Sequence, residues 1–172
     1  DTLSVPVLLY HGIEKNSNRF TITPEVFKDH LFTLKKAGYQ TITLEEFKDF
    51  IEGKIDLPEK SFLLTFDDGR KDSYYEADPV LESLGYNAVM FVAAGQSLTE
   101  KSLRSTYYLN KHELVEMQKT LRWSIQSHFV QESGGFVKIT KKGDAANFLS
   151  NKQYLSNENR LENDQEYRNR IT

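Results

Sequence analysis

The most apolar short run of the chain is Ser61-Phe62-Leu63-Leu64-Thr65-Phe66, which is followed directly by Asp67-Asp68-Gly69. The first six residues do not alternate strictly between apolar and polar, and such a run is typical of a parallel β-strand covered on both faces. An acidic pair then stands where that strand ends. Functional groups of parallel α/β proteins gather at the carboxyl ends of strands. The stretch therefore predicts a buried parallel strand with chemically active side chains at its end.

Short apolar strands alternate with amphipathic helices through the first two thirds of the chain. The strands are predicted at 5–10, 39–42, 61–66, 87–93 and 121–126. Helix starts are indicated by Thr23 before Pro24, and by capping-box patterns at Thr43 and Asn110. Pro79 is expected to kink the helix at 72–84 or to divide it in two. Strands and helices that alternate with short connections predict an α/β fold with about five parallel strands and flanking helices.

Composition excludes several classes of function. Among the 172 residues, 22 basic against 25 acidic side chains give a formal charge of −3, so no basic excess is available for nucleic acid. The chain has no cysteine, which excludes disulfides and thiolate metal sites and leaves His, Asp and Glu as metal ligands. No apolar run is long enough to predict a membrane span. The start at Asp1 is consistent with a cytosolic protein or with a secreted one whose signal has been removed.

Three of the predicted strands end in residues that could bind a metal or move a proton: His11, the pair Asp67 and Asp68, and His128. Because the carboxyl ends of parallel strands lie at one edge of the sheet, these side chains are expected to meet there. Each residue taken alone also has a structural interpretation. Asp-Gly is a common turn pair, a single histidine more often stabilises a core or loop, and His11 could simply end its strand.

Other histidines and aromatic residues are interpreted structurally. His30 and His112 fall within predicted helices and are taken as ordinary helical residues. Several phenylalanines are predicted to belong to the hydrophobic core: Phe20, Phe27, Phe47, Phe62 and Phe66.

A carboxylate together with an imidazole is a reasonable partial ligand set for a divalent cation of the zinc type. Such an ion polarises a carbonyl group and lowers the pKa of a bound water to ~7. A second carboxylate beside the ion can then accept the proton of that water. Two neighbouring aspartates and a histidine therefore predict metal-assisted hydrolysis of an ester or an amide.

The run Leu64-Thr-Phe-Asp-Asp-Gly69 resembles the first signature of the polysaccharide deacetylases, the NodB-homology group of carbohydrate esterase family 4. The opening Val7-Leu-Leu-Tyr-His-Gly12, the Gly85-Tyr86 turn, and the Trp123 strand that leads to Ser127-His128 are similar to the same family. The resemblance is clear over roughly residues 5–130 and continues weakly to residue 172.

The resemblance implies a distorted (β/α) barrel of the NodB type, of which residues 1–172 would be the N-terminal part and 129–154 an insertion or irregular loop region. It implies a hydrolase that removes N-acetyl groups from an amino-sugar polysaccharide and releases acetate. Asp67 would be the general base, and Asp68 and His128 would bind a divalent metal ion, which we expect to be zinc. Family members are commonly secreted or attached to the cell envelope, so an extracellular or envelope location is implied.

The sequence also departs from the family pattern. The second family motif has another histidine shortly after the first, whereas this chain has Glu132 and Ser133 there, of which Glu132 could be an oxygen ligand. The later motifs of the family supply an arginine that orients the catalytic aspartate, a backbone amide that stabilises the oxyanion and a histidine that protonates the leaving amine, and none of these has a counterpart in residues 1–172. We therefore keep two alternatives: a catalytically inactive module that binds glycan or a protein partner, and an incomplete barrel that self-associates through exposed sheet edges.

Overall fold

The computed structural model describes residues 4–129, 136–147 and 151–171. The chain divides into two units, Asp1–Val130 and Gln131–Thr172. In the first unit, strands and helices alternate around a parallel sheet of five strands, which confirms the predicted α/β fold class. Within the described ranges, no helix combines the length and apolar character that crossing a membrane requires.

The strands of the first unit, in chain order, are β1 (Val7–Tyr10), β2 (Gly12–Ile13), β3 (Thr21–Ile22), β4 (Gln40–Thr41), β5 (Ser61–Phe66), β6 (Ala88–Ala93) and β7 (Trp123–Phe129). Its helices are α1 (Pro24–Lys36), α2 (Leu44–Ile51), α3 (Lys71–Leu84), α4 (Ala94–Ser97) and α5 (Lys111–Lys119), with a 3₁₀ turn at Glu100–Arg104. The sheet order is β1-β5-β6-β7, and β4 pairs with the beginning of β5. All of these pairings are parallel, so the strands end at the same edge of the sheet.

Strand β5 is buried along its whole length, as the absence of strict alternation predicted. Phe62, Leu64 and Phe66 belong to the larger hydrophobic core, together with buried residues of α1 and α3. Leu63 lies in a second cluster, against which Phe47 of α2 packs. Side chains that alternate along a strand point to opposite faces of the sheet, so β5 is covered on both of its faces.

Local sequence signals define the starts of three helices, as predicted. The Thr23 hydroxyl accepts the Val26 N–H at the start of α1, and complete capping boxes begin α2 at Thr43 and α5 at Asn110. Of the two alternatives for Pro79, division of the helix is wrong, because α3 is continuous from Lys71 to Leu84, whereas a kink stays a prediction. Buried Ala77, Val80 and Leu81 pack this helix against the core, and that packing outweighs the hydrogen bond that proline cannot make.

Phe20 does not belong to the core, contrary to the sequence-based prediction. Its side chain is 55% exposed, whereas Phe27, Phe62 and Phe66 are buried. Phe20 lies in the loop between β2 and β3, one residue before Thr21. The loop is held by hydrogen bonds of its own backbone and of the Asn18 side chain rather than by burial of this ring, so the aromatic side chain remains at the surface.

The second unit contains β8 (Phe136–Lys138) paired with β9 (Ala145–Asn147), β10 (Tyr154–Leu155) paired with β11 (Arg160–Leu161), and helix α6 (Asp164–Ile171). Both strand pairs are antiparallel. The assignment of 129–154 as an insertion, and of residues 1–172 as part of a single deacetylase-like domain, stays a prediction.

Candidate active site

The ends of β1 and β5 bring His11 next to Asp67. The two strands pair in register from Val7 with Leu63 to Tyr10 with Phe66, and the Asp67 N–H continues the ladder by donating to the Tyr10 carbonyl at 3.1 Å. His11 Nε2 lies 3.8 Å from Asp67 Oδ2. His11, for which the sequence allowed both a structural and a functional interpretation, therefore belongs to the same cluster as the acidic pair.

The turn after β5 has an unusual backbone conformation. Asp68 and Gly69 both have positive φ angles, 71° and 68°. Ala93 and Leu109 hold the turn, because their N–H groups donate to the carbonyls of Asp68 and Gly69 at 3.4 and 2.8 Å. A Cβ on Gly69 would lie 3.0 Å from Val92 Cγ1, so glycine is favoured there by the limited space as well as by the backbone conformation. A non-glycine residue in the left-handed region costs free energy, and such residues are concentrated at functional sites.

A β-bulge at the end of β7 presents His128. Val92 of β6 pairs with Ser127 and Ala93 pairs with Phe129, which leaves His128 as an extra residue in β7. Bulges bend a strand and redirect a side chain, often beside an active site. His128 Nε2 lies 3.7 Å from Asp67 Oδ2 and 3.9 Å from Asp68 Oδ1.

The surroundings of Asp67 change its acidity. Burial raises the pKa of its carboxyl, whose side chain is only 16% exposed, and the charge of Asp68 acts in the same direction. The imidazoles of His128 and His11 act against this rise. A carboxylate whose pKa moves toward neutrality is a better proton acceptor and donor at physiological pH. This is the behaviour that hydrolysis requires of a general base.

Arg70 holds the backbone around the site, a role that sequence analysis did not assign. Its side chain is 8% exposed, and Nε donates to Asp72 Oδ1 at 2.9 Å. Nη1 donates to Tyr107 Oη at 2.9 Å and Nη2 to Glu14 Oε1 at 3.3 Å. A Cβ on Gly12 would lie 2.5 Å from the guanidinium carbon, so the strand after His11 packs directly on Arg70. The arginine therefore links the turn that carries the acidic pair to the segment that carries His11.

The donor atoms of the two predicted metal ligands lie near each other. Ligands bound to tetrahedral zinc at about 2.0–2.2 Å are about 3.3–3.6 Å apart. Asp68 Oδ1 and His128 Nε2 are 3.9 Å apart, so the two side chains would have to approach each other slightly to bind one ion. Among the described residues, no group of three or more His, Cys, Asp or Glu is arranged to hold a metal ion. Glu132 and Ser133, where the family pattern has a further ligand, lie outside the described residues.

The structure thus brings Asp67, Asp68 and His128 together at one edge of the sheet and adds His11 to them. The roles that the resemblance implied for the first three stay predictions. His11, which directly follows a strand, is also one of the strand-end candidates predicted from the sequence, and the structure places it beside Asp67. No comparable signal exists for Arg70 beyond its position after the acidic pair.

Comparisons with known proteins agree on one family. The sequence profile of the polysaccharide deacetylases matches residues 54–158. YxkH of Bacillus subtilis, whose name assigns it to the polysaccharide deacetylases, is 32% identical over 126 residues, which cover 73% of this chain and 42% of that protein. The poly-β-1,6-N-acetyl-D-glucosamine N-deacetylase of Staphylococcus epidermidis is 28% identical over 156 residues, which cover 91% of this chain and 51% of that enzyme.

A solved structure of a de-N-acetylase from Aggregatibacter actinomycetemcomitans superimposes with a TM-score of 0.83 at 26% identity, over 96% of this chain and 69% of that one. The chain spans about half or less of the length of the two relatives named above. The profile match covers more than half of this chain and includes the acidic pair. The chain therefore belongs to the polysaccharide deacetylase family.

Proposed function

We propose that the protein removes N-acetyl groups from an amino-sugar polysaccharide, with its reaction centre at the edge where β1, β5 and β7 end. The observation that supports the proposal most strongly is the convergence of side chains from the ends of three strands: Asp67 Oδ2 lies 3.8 Å from His11 Nε2 and 3.7 Å from His128 Nε2, and Asp68 Oδ1 lies 3.9 Å from His128 Nε2. The names of relatives that act on poly-β-1,6-N-acetyl-D-glucosamine support the substrate class. In the reaction, water adds to the acetamide carbonyl, the carbon–nitrogen bond breaks, and acetate and a free amine are formed.

Asp67 is the general base in this proposal. Burial raises the pKa of this carboxyl, which makes the carboxylate a stronger acceptor for a proton of the attacking water. His11 and His128 both approach the same oxygen, Asp67 Oδ2. Contacts from both rings restrict the positions that this carboxylate can take, and thus orient it toward the reacting water.

Asp68 and His128 are the proposed ligands of a divalent metal ion, for which zinc is the preferred candidate. A carboxylate oxygen and an imidazole nitrogen are donors that zinc accepts, and zinc needs no thiolate, which this chain lacks. When bound, such an ion polarises the acetamide carbonyl and lowers the pKa of bound water. The proposal assigns only these two ligands, and the remaining ligands of the ion are not assigned.

His11 is proposed to deliver the proton that the leaving amine needs. Of the two imidazoles that approach Asp67, His128 is assigned to the metal, and His11 remains available for proton transfer. Its side chain is 33% exposed, so a substrate nitrogen can reach it. Imidazole gains and loses a proton readily in the physiological range. We propose an extracellular or envelope location for the protein, because polymeric polysaccharides of this type lie outside the cytoplasm.

The test is acetate release from N-acetylglucosamine oligomers by the zinc-loaded complete gene product. Asp67→Asn is expected to lower the rate by about 10²- to 10⁴-fold, the usual contribution of a general base. Asp49→Asn, which changes an exposed aspartate on α2, is the matched control and should leave the rate unchanged. Full activity of Asp67→Asn would refute the assignment of the base. Oligomer binding without acetate release by the wild-type protein would instead support the inactive glycan-binding module.

A further inference from the structure

A cavity of about 300 Å³ opens beside the proposed reaction centre, and we call it the Phe20 pocket. Its walls include Leu9 at the end of β1, His11, and residues Asn18, Arg19 and Phe20 of the loop between β2 and β3. This volume is at the small end of the ~300–1,000 Å³ range of small-molecule sites. The pocket is therefore large enough for a small ligand group, and His11 belongs to both the pocket and the reaction centre.

The loop that carries Phe20 is held by its own hydrogen bonds. The Asn18 side-chain oxygen accepts the Phe20 N–H at 2.8 Å, and the Asn18 N–H donates to the Thr21 hydroxyl at 3.0 Å. The Gly12 N–H, in turn, donates to the Phe20 carbonyl at 3.4 Å. Phe20 is 55% exposed in spite of this order. An aromatic ring that is exposed on an ordered loop is already positioned for a ligand, which lowers the entropy cost of binding.

The pocket is continuous with the reaction centre. The His11 and Phe20 ring centroids are 6.1 Å apart, and His11 Nε2 is 3.8 Å from Asp67 Oδ2. A sugar whose acetamide is at Asp67 would therefore direct the next sugar of the same chain toward Phe20. This continuity favours a neighbouring unit of the polysaccharide over an unrelated ligand.

The lining suits a pyranose ring with an uncharged substituent. Phe20 and the half-exposed Leu9 offer apolar surface to the C–H face of a sugar, and Asn18 and Arg19 offer polar groups to its substituents. Arg19 brings a positively charged guanidinium to the lining, and its guanidinium carbon is 4.5 Å from the Phe20 ring centroid. A free amine on a deacetylated sugar is a cation, so this charge disfavours it relative to an acetamide.

We propose that the Phe20 pocket binds the sugar next to the one being hydrolysed, and that it selects this neighbour in its N-acetylated form. The inference rests on the proposed function, because the position of the reacting sugar at Asp67 determines where the next sugar of the chain lies. A sugar that has been deacetylated then binds poorly in the pocket. Successive deacetylation of adjacent sugars is therefore disfavoured.

The first test compares Phe20→Ala with Phe32→Ala in the zinc-loaded complete gene product. Phe32 is a matched control, because it is 51% exposed and does not line the pocket. With N-acetylglucosamine oligomers, Phe20→Ala should raise KM about tenfold, or about 1.4 kcal/mol of binding, with kcat little changed. Hydrolysis of a small aryl acetate, which does not extend into the pocket, should be the same in all three proteins. An oligomer KM for Phe20→Ala equal to that of the wild type would overturn the proposal.

A binding measurement separates this inference from the proposed function. If the wild type releases acetate from neither substrate, the proposed function fails, and oligomer binding then decides the role of the pocket by itself. Binding that is about tenfold weaker in Phe20→Ala than in Phe32→Ala supports the pocket. Equal affinity of the two variants refutes it.

Selection of the acetylated neighbour is tested with Arg19→Gln. The wild type should hydrolyse a fully acetylated oligomer with a higher kcat/KM than one in which alternate sugars carry free amines. In Arg19→Gln this ratio should fall toward one, and the mass-resolved product pattern should show more adjacent free amines. An unchanged ratio would show that Arg19 does not make the selection.

Discussion

The left-handed conformation of Asp68 allows a stability prediction that can be separated from activity. With φ at 71°, the residue occupies a region that costs L-residues about 1–2 kcal/mol unless the side chain, as in Asp and Asn, tolerates it. The Asp68→Ala variant is destabilised by the whole of this conformational cost. Asp68→Gly avoids it but loses about 0.5–1 kcal/mol through the greater freedom of glycine in the unfolded chain. The glycine variant should therefore be about 0.5–1 kcal/mol more stable than the alanine variant.

The measurement is urea or thermal unfolding at neutral pH in the presence of a chelator, so that metal binding does not add to the stability of the wild type. For a chain of this size, the expected difference corresponds to a Tm that is about 1–4 °C higher for the glycine variant. Asp68→Asn should unfold close to the wild type, because asparagine also tolerates the left-handed region. All three variants should lose acetate release, since each removes the proposed carboxylate ligand. An alanine variant as stable as the glycine variant would refute the inferred backbone conformation.

Three further substitutions have predictable effects on stability or activity. Arg70→Gln breaks a buried ion pair, a change that typically costs ~3–5 kcal/mol, and the loss should be near the lower end because Asp72 is still 27% exposed. The same variant should lower acetate release about 10²-fold, because the acidic turn and His11 would be misplaced. Arg122→Gln is the control: it breaks the comparable pair with Asp78 and should reduce stability in denaturant titrations but keep the activity. Asp67→Asn should make the metal-free protein more stable at neutral pH, because burial raises the folded-state pKa of this carboxyl and its charged form therefore opposes folding. That gain should disappear in unfolding measurements below about pH 3.8, where Asp67 is protonated in both states, and a neutral-pH loss of stability would contradict it.

Strong local signals made much of the fold predictable. The six residues of β5 were predicted with correct bounds, because a short apolar run that ends in Asp-Asp-Gly has few alternative interpretations. The capping boxes at Thr43 and Asn110 are also local, since each needs only a side chain and a backbone group three residues away. The convergence at the sheet edge followed from parallel pairing, which places successive strand ends side by side.

Features that depend on distant contacts could not be predicted. The bulge that presents His128 arises from the register of β7 against β6, and nothing in the local sequence specifies it. Arg70 derives its role from Asp72, Glu14 and Tyr107, the last two of which are distant in the sequence. The prediction of Phe20 as a core residue is wrong because hydrophobicity alone does not distinguish a buried ring from one that is exposed on an ordered loop.

We propose that the ends of β5 and β7 form one metal-assisted hydrolytic centre, and anomalous scattering at the zinc edge, from crystals of the zinc-loaded protein, can locate the ion. We expect one peak at about 2.0–2.2 Å from an oxygen of Asp68 and from the imidazole of His128, with Asp67 adjacent but not bound to the ion. A peak bound by Asp67 instead, or zinc located away from these side chains, would contradict the account.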